Sequence, residues 1–254
     1  MSTVILKIGG SVITEKDNVS SARKDDIDRI SQEIASFKAN SHDALIIVHG
    51  AGSFGHPQAM KWANAGFNAQ GVYLTHTSVK ALNSMVLDSL DRAGIRALPV
   101  HPLSSCLLEN GRLVEFQLSQ VKLMLDRGIV PVLHGDVVMD RALGAAVLSG
   151  DRIVPYLATA MGASKIGAGS NVEGVLDETG TAVKKITPVS FVDIKKHIQG
   201  SASTDVTGGM LGKVSELLEL AKKGISSRIF NASRKGMVSK FLYGEDVGTL
   251  IADK

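Results

Sequence analysis

Val4-Ile5-Leu6-Lys7-Ile8-Gly9-Gly10-Ser11 is the stretch on which the fold turns. A short β-branched apolar run closed by two glycines reads as a buried strand ending in a turn. Outward from it, Ile27, Ile30, Ile34 and Phe37 fall at helical spacing and predict a helix over 23–39. A second buried strand over 44–48 is broken by His49-Gly50-Ala51-Gly52. Val79, Leu82, Val86 and Leu90 predict a helix over 77–93, and a strand over 95–100 is stopped by Pro102. Asn110-Gly111 between apolar pairs is a hairpin signal. A helix over 118–127, a strand over 129–133 and a helical segment from Gly150-Asp151 to Met161 follow. Residues 164–176 are Gly-rich with a strand at each end. Leu211, Val214, Leu217, Leu218 and Ala221 share one face of a helix over 210–223, before strands at 228–231 and 248–251.

Alternating strands and helices specify an α/β fold with a mostly parallel sheet covered on both faces. The hairpin at 107–116 is expected to add an antiparallel edge. Residues 1–254 are expected to form a single domain of two lobes joined near 150–165.

Composition narrows the function. The hydrophobic share is 44% and the charged share 21%, which suffices for a full core without staples. A net charge of +3, with basic residues scattered, does not indicate a nucleic-acid binder. Cys106 is the only cysteine, so neither an internal disulfide nor a cysteine metal site can form. No apolar run approaches the roughly 18 residues of a membrane span, and Met1–Gly10 is too short for a signal peptide. A cytoplasmic enzyme is the expectation.

Open parallel sheets bind ligands at the carboxyl ends of their strands, and four Gly-rich turns fall there. Neither classical phosphate motif is expected: no G-x-x-x-x-G-K-[ST] and no G-x-G-x-x-G after a strand. The turn Lys7 to Ser11 is the first of the four. It is either an ordinary turn or a backbone cradle for an anion with Lys7 as its charge. His49 to His56 holds three glycines and two histidines; it is a tight strand-to-helix connection or a close-fitting ligand loop. Gly135-Asp136 and Gly150-Asp151 form the third group, in which Asp151 is an N-cap or a carboxylate that holds lysines. Thr204 to Lys213 runs Gly208-Gly209 into a helix and is a loop with a cap or an anion site completed by Lys213.

The order of these four turns resembles the amino acid kinase family, from Ile5 to at least Ile229. The resemblance implies an open αβα sandwich, with an acceptor lobe over about 1–150 and a nucleotide lobe over about 151–254. Within the family, Ile5 to Thr14, Val48 to Pro57, Gly135 to Val138 and Asp205 to Lys213 are most similar to the isopentenyl phosphate kinases. His56, which closes the second loop, is the residue that marks this subgroup. Fosfomycin kinases resemble it and share the loop.

That likeness implies phosphorylation of isopentenyl phosphate by ATP, as a homodimer with Mg2+ carried on the nucleotide and no dedicated metal site. It assigns Lys7 and Lys213 to the ATP phosphates, Lys16 to the transferring phosphoryl group and Asp151 to orienting the lysines. Gly9, Gly10, Ser11, Gly52, Asn171, Gly208 and Gly209 complete the ATP site. Gly50, Ala51 and Gly150 offer N–H groups to the acceptor phosphate, joined by a hydrogen bond from His56. Val79, Leu82, Asn83 and Val86 either line a pocket for the acceptor's tail or form a core-facing helix. Ser170 to Leu176 departs from the family's usual Thr-Asp-Val-Asp-Gly-Val-Tyr: Asn171 replaces an aspartate and Leu176 an aromatic. A kinase for another small phosphate or phosphonate, and a non-catalytic nucleotide-binding protein, are the alternatives.

Overall fold

The computed structural model describes residues 2–15, 18–63, 66–200 and 209–254. In chain order the elements are β1 (Thr3–Ile8), α1 (Gly10–Ile13), α2 (Lys24–Asn40), β2 (Ala44–His49), α3 (Gly52–Ala63), α4 (Ala69–Arg92), β3 (Ala97–Pro99) and α5 (Pro102–Ser105). Next come β4 (Cys106–Glu109), β5 (Arg112–Phe116), α6 (Leu118–Asp126), β6 (Val130–His134), β7 (Asp136–Asp140), β8 (Gly144–Leu148), α7 (Gly150–Met161) and β9 (Lys165–Ser170). The chain continues through β10 (Lys185–Ile186), α8 (Phe191–Gly200), α9 (Gly209–Ala221), β11 (Ser227–Asn231), α10 (Met237–Tyr243) and β12 (Thr249–Ile251).

The main sheet runs β10-β12-β11-β9-β1-β2-β6-β3 and is parallel except where β11 meets β12. Its central strands are buried on both faces, which is why they read as continuous apolar runs. Val4, Leu6 and Ile8 of β1 pack with α2, α4 and α10 on one face. Ile5 joins the core of α7 on the other. That alternation sends Lys7, two residues on from Ile5, toward α7.

The hairpin forms as predicted, with Asn110 and Gly111 both at positive φ (50° and 73°), the signature of a type I′ turn. It does not extend the main sheet. β5-β4-β7-β8 is a second sheet, whose two turns are joined because the Asp140 carboxylate accepts from Asn110, Gly111, Ala142 and Leu143 N–H. The edge the hairpin was expected to occupy belongs to β3, which ends in Pro99, a residue with no N–H to continue a ladder.

The helix expected over 77–93 opens earlier, at Ala69, behind an Asn68 cap that accepts from Gly71 N–H at 2.9 Å. α3 rises directly out of the Gly-rich loop and carries Pro57 inside it. Its glycines and proline argue against helix by propensity; packing of Phe54 and Ala59 in buried positions supplies what propensity lacks.

The turns after β1 and β2 meet backbone to backbone. A Cβ on Gly10 would collide with Gly52 N and lie 2.6 Å from Gly52 Cα; one on Gly50 would lie 3.0 Å from Gly10 Cα. Thr14 Oγ1 ties the turns, donating to Gly10 O at 2.9 Å and accepting from Ser53 N–H at 3.0 Å. Backbone cannot step aside as a side-chain tip does, so Gly10→Ala is expected to cost about 1–3 kcal/mol. At this chain length that lowers the melting temperature by about 2–12 °C. Calorimetry giving an unchanged melting temperature would contradict the contact.

Candidate active site

β1 lies between β2 and β9, so the chain leaves it in opposite directions and a crevice opens at the carboxyl ends of these strands. Gly9 N–H donates to Gly169 O at 2.8 Å, fastening the first turn to the end of β9. Gly50 N–H donates to Ile8 O at 2.8 Å, and Gly135 N–H to His49 O at 2.9 Å, so the β1, β2 and β6 turns form one continuous floor. Gly52, at φ +49°, starts α3 in the left-handed region.

Gly135 is the centre of that floor. A Cβ there would lie 3.5 Å from Gly150 N and 3.7 Å from Ala51 N. Both nitrogens sit at helix starts, Gly150 first in α7 and Ala51 just before α3, where N–H groups have no intrahelical acceptor. The result is a cradle of bare backbone donors at the positive end of a twelve-residue helix.

Beside the cradle stand the cations. Lys7 Nζ lies 2.9 Å from Asp151 Oδ1, and Lys213 Nζ lies 3.0 and 3.1 Å from the two oxygens of the same carboxylate. Ser149 is the N-cap of α7, so Asp151 is not a cap; it sits in the first turn and holds two ammonium groups. Burial pushes Lys7 down to about 8 against the raising influence of Asp151, and the neighbouring Lys213 adds to the lowering. Burial alone would raise the Asp151 carboxyl, but Lys7 and Lys213 outweigh it and hold it well below the usual carboxylate range.

Lys7, Gly9, Gly10, Gly50, Ala51, Gly52, Gly150, Asp151 and Lys213 are thus brought to one crevice. Ser11 is exposed in the first turn of α1, and Gly209 opens α9 at φ +55°. Asn171 is exposed just past the end of β9, near Glu173, which accepts from Asn231 and Arg234. His56 is half-buried in α3. Lys16 and Gly208 lie outside the described residues. Val79, Leu82 and Val86 fill the main core, so the core-facing reading of that helix holds for them. Asn83 is taken up by His49 Nε2, at 3.0 Å.

Three features escaped the sequence reading. Gly50, Gly52 and Gly55 stand at G-x-G-x-x-G spacing, running from the end of β2 into α3, which corrects the expectation that no such pattern follows a strand. Gly135 was not singled out as the cradle's centre. The third feature is a histidine cluster on the α4 side of the sheet. His101 Nδ1 lies 2.9 Å from His134 Nε2, His76 Nδ1 lies 2.9 Å from Asp136 Oδ2, and the rings of His49 and His134 stack at 5.5 Å. Its signal was a repeated His-Gly pair, His49-Gly50 and His134-Gly135, one at the end of each of two neighbouring strands. Among the described residues no group of three or more His, Cys, Asp or Glu is placed to hold a metal ion.

Fold and site together define a class. The amino acid kinase family matches residues 2–231, and the chain belongs to that family. Within it, the chain is 40% identical to the isopentenyl phosphate kinase of Haloferax volcanii and 38% identical to that of Methanothermobacter thermautotrophicus, in each case over 99% of both chains. A solved isopentenyl phosphate kinase superposes with a TM-score of 0.83 at 34% identity, covering 98% of this chain and 100% of its own.

The low position of Lys7 has two consequences of opposite sign. An amine near 8 when folded and 10.5 when unfolded is disfavoured as a cation in the folded state. Its contribution to stability therefore improves as pH rises from about 8 toward 10.5. A nucleotide phosphate held by Lys7 needs the cation, so the expected outcome of that role is a kcat/KM for ATP that falls above about pH 8. A pH–rate profile flat to about pH 9.5, short of the ~10.4 of a free lysine, would rule that role out for Lys7.

Proposed function

We propose that this protein phosphorylates isopentenyl phosphate from MgATP to give isopentenyl diphosphate, in the cytoplasm, as a step of isoprenoid synthesis. One observation carries the reading: a carboxylate-held pair of lysines faces a side-chain-free cradle of N–H groups. Two anions must be brought together in this reaction, and each half of the crevice suits one of them. The ATP phosphates lie along Gly9, Gly10, Ser11 and Gly52 with Lys7 and Lys213, in a nucleotide lobe over about 151–254 that includes Asn171, Gly208 and Gly209. The acceptor phosphate lies in the cradle of Gly50, Ala51, Gly135 and Gly150, with His56 donating a hydrogen bond from α3. The homodimer rests on the family resemblance.

A terminal oxygen of the acceptor attacks the γ-phosphorus, the bond to the ADP oxygen breaks, and a phosphoanhydride forms. A phosphate oxygen is already a competent nucleophile, so no general base is required. The work left for the protein is positioning and charge neutralisation. Lys7, Lys213 and Lys16 act on charge that develops in transfer, and removing such a group costs about 10²-fold or more in kcat. Magnesium carried on the nucleotide would add to the charge neutralisation supplied by the lysines. Asp151, already engaged by both lysines, serves to orient them rather than to hold the metal.

Phosphorus NMR of the protein with ATP and isopentenyl phosphate, dimethylallyl phosphate, fosfomycin or simple amino acids tests the acceptor. Diphosphate from isopentenyl phosphate is expected; turnover confined to fosfomycin or an amino acid would overturn the assignment. His56 gives a finer test. A hydrogen bond to a charged partner is worth about 1.5–3 kcal/mol, or roughly 10- to 150-fold in affinity. His56→Ala should weaken acceptor use by about that factor and leave ATP binding nearly unchanged. Titration of both ligands with a melting curve on the same sample decides it: equal loss for both ligands together with a lower melting temperature marks a packing role instead.

A further inference from the structure

His49 and His134 are register partners at the ends of β2 and β6, and each is followed by a glycine of the crevice floor. His49 Nδ1 lies 3.0 Å from Gly50 O, and His134 Nδ1 lies 3.1 Å from Gly135 O. A carbonyl oxygen only accepts, so each Nδ1 carries a proton. Burial pushes His49 down to about 4 and His134 to about 3, which leaves both rings neutral near pH 7 with Nε2 as an acceptor. Each Nε2 is met by a donor: Asn83 Nδ2 at 3.0 Å and His101 Nδ1 at 2.9 Å. Asn83 Oδ1, buried, has no hydrogen-bond partner among the described residues. Turning that amide to satisfy it elsewhere would set two acceptors against each other at Nε2.

In a trans peptide the C=O and the following N–H point in opposite directions, and no described peptide bond is cis. With Gly50 O held on the α4 side by His49, the N–H of Ala51 is turned toward the other side, where Gly135 and Gly150 N lie. Glycine peptides rotate easily. A flipped Gly50–Ala51 peptide would present a carbonyl oxygen to the cradle and repel any anion in it.

We infer that His49 and His134 are positioning residues: the Nδ1–H of each locks the glycine peptide that follows it, so that Ala51 N–H faces the acceptor phosphate and Gly135 remains its floor. The inference rests on the cradle being the acceptor site, and the lock itself has a readout independent of that. His101, bonded to His134, extends the lock to the start of α5.

The test begins with the 15N-labelled wild-type protein. Long-range 1H–15N spectra should show the Nδ1–H tautomer for His49 and His134, and the Ala51 amide should shift on titration with inorganic phosphate or isopentenyl phosphate. His49→Asn places an amide nitrogen where Nδ1 was, and His49→Gln places it where Nε2 was. His49→Gln should lose about tenfold or more in kcat/KM for the acceptor, through KM, with KM for ATP unchanged; His49→Asn should recover most of the loss. Nε2–H tautomers, an Ala51 amide indifferent to phosphate, or Gln serving as well as Asn would each overturn the inference. Should neither variant fold, the tautomers and the Ala51 titration decide it on the wild-type chain. A wild-type protein that ignores isopentenyl phosphate as a substrate defeats the functional reading alone, because the tautomers and the inorganic phosphate titration still decide the lock.

Discussion

Asp151 sits between two ammonium groups that would otherwise repel each other in a buried crevice, and the geometry of the site follows from that one carboxylate. Lys7 comes from the central strand, Lys213 from α9, and Asp151 from the first turn of α7, so three elements distant in sequence are held to one point. Two positive charges on one negative charge leave the triad with a net positive charge. Burial raises the stakes: a lone buried charge is expensive, and removing one partner leaves the others uncompensated. The triad is therefore both a brace between layers and the source of the crevice's sign.

The opposite wall works by other means. It has no charged side chain at its centre, only the N–H groups of Ala51 and Gly150 around Gly135. Orientation there depends on the peptide planes, and on the far face of the sheet two neutral histidines take the carbonyls of Gly50 and Gly135. One face of the sheet thus carries charge and the other carries alignment. Alternation of side chains along a strand separates the two functions without extra structure.

Much of this was legible in the chain. The continuous apolar strands, the Asn-Gly turn and the helix over 210–223 follow from periodicity, and the ordered glycine turns point to Lys7, Asp151 and Lys213. What stayed hidden depends on pairing. His49 and His134 look unrelated until β2 and β6 lie side by side. α3 carries glycines and Pro57 that mask a helix, and its buried Phe54 and Ala59 reveal it only once the fold exists. β7 and β8 stay hidden because the one glycine of their turn, Gly144 at φ +77°, is not next to a turn-forming Asn or Asp; the Asp140 carboxylate, four residues before it, supplies the turn's hydrogen bonds. The sequence leaves Asp151 as a cap or a holder of lysines; Ser149 at the N-cap and the two lysine contacts separate the two.

The glycine-to-glycine contact between Gly10 and Gly52 carries a further consequence. A surface made of main chain offers almost nothing for substitution to alter: any side chain added there either collides or fills the space a ligand would take. Divergence among proteins built on this plan is therefore channelled outward, to the helices and the second sheet around the rim. The same floor can persist while the clientele changes, in the way a common socket accepts different fittings. What the rim can vary is the shape offered beyond the floor, while the main-chain surface beneath it stays the same.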